Sequence, residues 1–105
     1  MFEEFTQERI AQLRMRKGSS ARDMSVSLGQ NETYINKIEN KKSLPSLSGL
    51  FYICEYFGIT PNEFFDEGNQ NPAALHELID DLKNLDDSSL VHLSGIVKAM
   101  IGKKK

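Results

Sequence analysis

The sequence predicts an all-α protein, with a five-helix N-terminal domain followed by a two-helix C-terminal hairpin. Three observations carry that prediction. Apolar residues recur at three- and four-residue spacing, and no segment shows the strict alternation of a half-buried strand. Cap residues and glycines punctuate these segments at helical lengths. The chain has 105 residues, 39% hydrophobic and 27% charged, enough for one compact domain with a short extension and too little for two full-sized domains.

The elements follow in order. Phe5, Ile10 and Leu13 share one face of a first helix that stops near Gly18. Ser20 is a good N-cap with Asp23 three residues on; Met24 and Leu28 follow at i,i+4, and Gly29 ends this short second helix. Asn31 caps a third helix over residues 32–39, with Ile35 and Ile38 facing inward and Tyr34 as a third contact. Asn40 can take the left-handed conformation that ends it. Pro45 and Ser46 start a fourth helix carrying Leu47, Leu50, Ile53, Cys54 and Phe57, closed by Gly58.

Thr60, Pro61 and Glu63 give the clearest local signal: an N-cap, a proline at N1 and a capping-box partner. Ile59 and Phe64 stand at the N′ and N4 positions of a hydrophobic staple. The polar run DEGNQN, residues 66–71, reads as a hinge. Pro72 then opens a sixth helix with Leu75, Leu78, Ile79, Leu82 and Leu85 on one stripe. Asp86, Asp87 and Ser88 break it and cap a seventh helix, which carries Leu90, Leu93, Val97, Met100 and Ile101. The short connection predicts that these two helices lie antiparallel. The expected organisation is a domain over residues 1–66 and a linker with an amphipathic hairpin over residues 67–105.

Composition excludes several function classes. Cys54 is the one cysteine, so no internal disulfide forms, and its place on the inward stripe marks a core residue. With only His76 and His92 beside it, no Cys/His metal site is expected, and no cofactor. The chain has no nucleophile–base pair and no phosphate loop, so it is not expected to be an enzyme. No apolar run reaches membrane-spanning length, and the acidic start MFEEFTQERI is unlike a signal peptide; a cytoplasmic protein is expected. Asp80 with Asp81, and Asp86 with Asp87, read as a solvated face and a cap rather than a cation site. The three lysines at residues 103–105 read as a helix-end charge complement or a frayed tail.

Charge is uneven along the chain. The net charge is -2, yet residues 14–42 hold seven basic side chains against three acidic ones, between two acidic flanks. A positive middle of this kind attracts phosphate locally without a high isoelectric point.

A glycine within Leu28-Gly29-Gln30-Asn31, between two short helices, is the helix-turn-helix arrangement. Residues 9–65 resemble the lambda-repressor-like, Cro/repressor (XRE) helix-turn-helix family. The resemblance rests on Arg9-Ile10, Leu13-Arg14, Gly18, Ser20, Met24, Leu28-Gly29, Ile35, Ile38-Glu39, Pro45-Ser46, Leu50, Phe57-Gly58-Ile59 and Phe64-Phe65, in family order. It implies a sequence-specific DNA-binding transcriptional regulator of the repressor type, whose third helix reads the major groove of double-stranded DNA. By position it places Glu32, Thr33, Asn36 and Lys37 at base edges or phosphates, and Tyr34 at or beside a phosphate. It places Arg16, Lys17, Lys41 and Lys42 where they neutralise phosphates, and makes Arg14 and Glu39 a structural salt bridge.

Three positions depart from the family pattern. Ala21 replaces a phosphate-anchoring glutamine, Ser25 replaces an alanine, and Lys41 replaces a glycine, so Asn40 or Lys41 must accommodate that turn. Glu32 either accepts from cytosine N4 or stabilises the helix N-terminus while repelling phosphate, and the second reading is favoured. A two-helix hairpin cannot bury its apolar stripes alone. The preferred expectation is a homodimer through the C-terminal helices, with half-sites about 34 Å apart. No small-molecule effector is identifiable. The alternative is a helix-turn-helix protein-interaction module, an anti-repressor or regulator partner with weak or no DNA binding, motivated by the acidic flanks, Ala21 and Glu32.

Overall fold

The computed structural model describes residues 1–102, and among them every regular element is an α-helix. The lysines at residues 103–105, with the tail reading made for them, lie outside the described residues. Two compact units divide the chain, Met1–Ala73 and the segment from Ala74 onward.

In the first unit, α1 (Phe2–Lys17) has Glu3 and Glu4 in its first turn and Arg14, Arg16 and Lys17 in its last. That order complements the helix dipole. Gly18 ends α1 in the left-handed conformation, φ 83°, and the N–H groups of Gly18 and Ser19 close onto the Arg14 carbonyl. Ser20 Oγ accepts from Asp23 N at 3.0 Å to cap α2 (Ala21–Ser27).

The α-helical geometry of α3 (Tyr34–Glu39) begins two residues later than the sequence predicts. Asn31 Oδ1 accepts from both the backbone N–H and the hydroxyl of Thr33, and the Asn31 carbonyl accepts from Tyr34 N. Asn31 therefore caps a turn over Glu32 and Thr33 before the helix proper starts. At the exit, the turn falls on the second of the two residues the sequence offers for it. Asn40 stays at φ -86°, and Lys41 takes the left-handed conformation at φ 62°. Position sets this, because Lys41 N closes on the Ile38 carbonyl and Lys42 N on the Lys37 carbonyl.

Ser46 Oγ caps α4 (Leu47–Phe57) through Gly49 N. Leu47 is exposed rather than packed inward. The first turn of α4 overhangs the core, and Leu47 lines an open apolar cavity of about 530 Å³ with Phe2, Phe5, Leu44, Leu50 and Phe65. The expected capping box opens α5 (Pro61–Phe64): Thr60 N donates to Glu63 Oε1 at 2.8 Å, and Glu63 N to Thr60 Oγ1 at 3.2 Å. The core joins Ile10 and Leu13 of α1, Met24 of α2, Ile35 and Ile38 of α3, and Ile53, Cys54, Phe57, Ile59 and Phe64. Each such side chain contributes roughly 1.5–3 kcal/mol by leaving water.

Helix α6 (Pro72–Leu82) starts on a proline buried in the first unit. Asp86 Oδ1 accepts from Ser89 N at 2.8 Å at the start of α7 (Asp87–Gly102), and its bonds to Ser89 hold the Asp86 carboxyl below its ordinary pKa. No residue of α7 is buried. Leu75, Leu78, Ile79, Val97, Met100 and Ile101 are all exposed. No helix among the described residues is long and apolar enough to cross a membrane.

Candidate nucleic-acid interface

Four fixings hold α3. Ile35 and Ile38 bury its inner face completely. At its start, Ser25 Oγ accepts from Ile35 N at 3.0 Å and donates to the Ala21 carbonyl at 2.7 Å. One fully buried hydroxyl thus joins α3 to α2. Tyr34, half-buried, leans on α4 where Gly49 has no side chain; a Cβ there would stand 2.8 Å from the Tyr34 hydroxyl oxygen. Burial pushes the Tyr34 phenol above its ordinary pKa.

At the C-terminal end, Arg14 Nε and Nη2 donate to the two oxygens of Glu39 at 2.6 and 2.8 Å, and Arg14 Nη1 donates to the Ser19 carbonyl. This fork ties α1, the α1–α2 turn and α3 together. The Glu39 hydrogen bond raises the Arg14 pKa. The loop beyond α3 is held by Gln7 Nε2, which donates to the Ser43 carbonyl at 3.0 Å.

What remains outward is polar and basic. Glu32, Thr33, Asn36, Lys37, Lys41 and Lys42 are exposed along α3 and its two flanking turns. Asn36 Oδ1 accepts from Asn40 Nδ2 at 3.0 Å, which orients the Asn36 amide. Glu32 pairs with Arg22 at 3.2 Å, and Lys41 pairs with Glu8 at 2.9 Å. Lys37 and Lys42 form no ion pair among the described residues. Arg16 and Lys17 are placed apart from this group. They line a second cavity, about 210 Å³, with Leu13, Phe57, Ile59 and Pro72, at the C-terminal end of α4. Lys17 Nζ there donates to the Tyr56 carbonyl at 3.1 Å and lies 4.5 Å from the Tyr56 ring centroid.

Sequence reasoning missed three side chains, two at this surface and one that ties α1 to the segment after α5. Ser25 counted only as a departure from a family pattern, yet it is the joint between α2 and α3. Arg22 is the partner of Glu32. Arg9, only 3% exposed, donates to the carbonyls of Glu63, Phe64, Asp66 and Asn69 and to Gln12 Oε1. Burial lowers the Arg9 pKa. A signal for Arg9 existed, since it stands four residues from both Phe5 and Leu13 on the inward stripe of α1.

Among the described residues no group of His, Cys, Asp and Glu can hold a metal ion. The Cys54 thiol is buried and pushed up to about 11, far from the thiolate a nucleophile needs.

A family model described as a helix-turn-helix domain matches residues 7–69, more than half of the chain. The matched segment takes in α2 to α5 whole and closes at the last carbonyl that Arg9 holds. No curated protein and no solved structure matches the chain.

Proposed function

The chain belongs to the helix-turn-helix domain family, and from that premise we propose that it is a sequence-specific, DNA-binding transcriptional regulator of the repressor type. We place it in the lambda-repressor-like, Cro/repressor (XRE) branch and in the cytoplasm. Helix-turn-helix domains present their second helix to a major groove. Here that helix is α3. The observation that carries the reading is the contrast between its faces: anchored by Ile35, Ile38, Ser25, Tyr34 and Glu39, and open to solvent at Thr33, Asn36 and Lys37.

Thr33 and Asn36 offer the donors and acceptors that read base edges, and Asn36 fits adenine N6 and N7. Lys37, Lys41 and Lys42 neutralise phosphates, and Tyr34 packs on α4 at Gly49. Glu32, already paired with Arg22, acts as a local charge balance rather than a base contact. Arg16 and Lys17 add long-range attraction only. Residues 1–66 form the DNA-binding part. The exposed apolar stripes of α6 and α7, within residues 67–105, join two copies, so that two α3 helices address half-sites about 34 Å apart.

A salt titration against random-sequence duplex tests the reading. Binding should weaken steeply as salt rises, because phosphate neutralisation releases counterions. No binding at low salt would favour the protein-interaction module instead.

A further inference from the structure

Two cations beside α3 already hold carboxylates of their own chain. Lys41 Nζ lies 2.9 Å from Glu8 Oε1 on α1, and Arg22 Nη2 lies 3.2 Å from Glu32 Oε2. The Glu8 hydrogen bond holds the Lys41 ammonium above its ordinary pKa, and the charge of Glu4 adds to this. Both members of the Lys41–Glu8 pair remain accessible, at 46% and 67% exposure, so a phosphate can reach either side of it. The left-handed backbone at Lys41 fixes where its side chain leaves the turn.

We infer that Glu8 is an affinity-setting residue, whose carboxylate occupies the Lys41 ammonium in the place a DNA phosphate would take. The inference rests on the reading of α3 as the DNA-facing helix. A phosphate engages Lys41 only by displacing Glu8, and the freed carboxylate then stands unpaired beside a polyanion. Glu32 acts on Arg22 in the same sense. The consequence is weaker binding and a shallower salt dependence than the number of basic side chains implies.

The test uses the full chain and a random-sequence duplex, with affinity measured across salt concentrations. Glu8→Gln should bind roughly three- to fivefold tighter at low salt, the scale of an exposed ion pair. Its plot of log affinity against log salt should steepen by about 0.9, one further phosphate. Lys41→Ala should erase the gain in the Glu8→Gln background. Glu77→Gln, an equal change of net charge on α6, should give a smaller gain than Glu8→Gln. Equal affinity of Glu8→Gln and wild type overturns the inference, as does a gain that survives Lys41→Ala or is matched by Glu77→Gln. Binding by Glu8→Gln alone supports it. Failure of every variant to bind overturns both this inference and the reading of α3, whereas wild-type binding without a Glu8 effect overturns this inference alone.

Discussion

Arg9 offers the sharpest test of how the helix-turn-helix unit is held together. Its guanidinium is almost fully withdrawn from water and makes five hydrogen bonds, at 2.7 Å to the Phe64 carbonyl, 2.8 Å to Asn69, 3.0 Å to Glu63, 3.2 Å to Asp66 and 2.8 Å to Gln12 Oε1. Four of these acceptors are backbone carbonyls at the end of α5 and in the segment after it, and two of them, Glu63 and Asp66, also accept from the N–H groups of Asp66 and Asn69. Arg9→Ala removes the fork that ties this segment to α1. One hydrogen bond to a charged group is worth about 1.5–3 kcal/mol, but bonds from one guanidinium are not additive. The expected loss is about 3–4 kcal/mol, within the range for breaking a buried charged cluster. For a domain of this size each kcal/mol shifts Tm by about 4–8 °C, so the change should be plain in a thermal melt. Urea unfolding should show a lower midpoint with the slope unchanged. Arg9→Lys keeps the charge and loses the planar fork, and should recover less than half of the deficit. A loss below about 1 kcal/mol for Arg9→Ala would refute the reasoning, since it is the usual scale of a surface change.

Two further outcomes follow from the anchored and open faces of α3. Lys37→Ala should weaken duplex binding and reduce the salt slope by about 0.9, with thermal stability unchanged within about 0.5 kcal/mol; unchanged affinity would remove Lys37 from the surface. Gly49→Ala places a methyl 2.8 Å from the Tyr34 hydroxyl and 3.1 Å from Ser46 Oγ. It should destabilise by about 1–3 kcal/mol despite its better helix propensity. Adding Tyr34→Phe should restore at least about 1 kcal/mol by removing the clashing oxygen, and additive unfolding energies would contradict that contact.

Features set by neighbours in sequence were legible in advance. The Thr60–Glu63 capping box, the Ser20 and Ser46 caps and the glycine stops at Gly18 and Gly58 each depend on fewer than five residues, and each is in place. Periodicity also selected Ile10, Leu13, Ile35, Ile38 and Ile53 for the core. It does not say where the core ends along a helix, and so it points Leu47 inward, whereas Leu47 is exposed and lines a cavity. Asn31 reads as a cap, but whether it caps a helix or a preceding turn depends on the Thr33 hydroxyl, a choice that propensity does not resolve. Propensity leaves the left-handed residue between Asn40 and Lys41, and the closing hydrogen bonds put it at Lys41. Ser25, Arg9, and the pairing of Lys41 with Glu8 join residues 10, 54 to 60, and 33 positions apart, and no local pattern encodes such distances.

Selection of bound duplexes from a random pool, run in parallel on wild type and Asn36→Ala, most directly tests whether α3 reads sequence. The account predicts one recurring motif for the wild type, and for the variant a relaxed preference at a single base position worth about 1–3 kcal/mol. No enriched motif, or the same motif with the same preference at every position in both proteins, would contradict it.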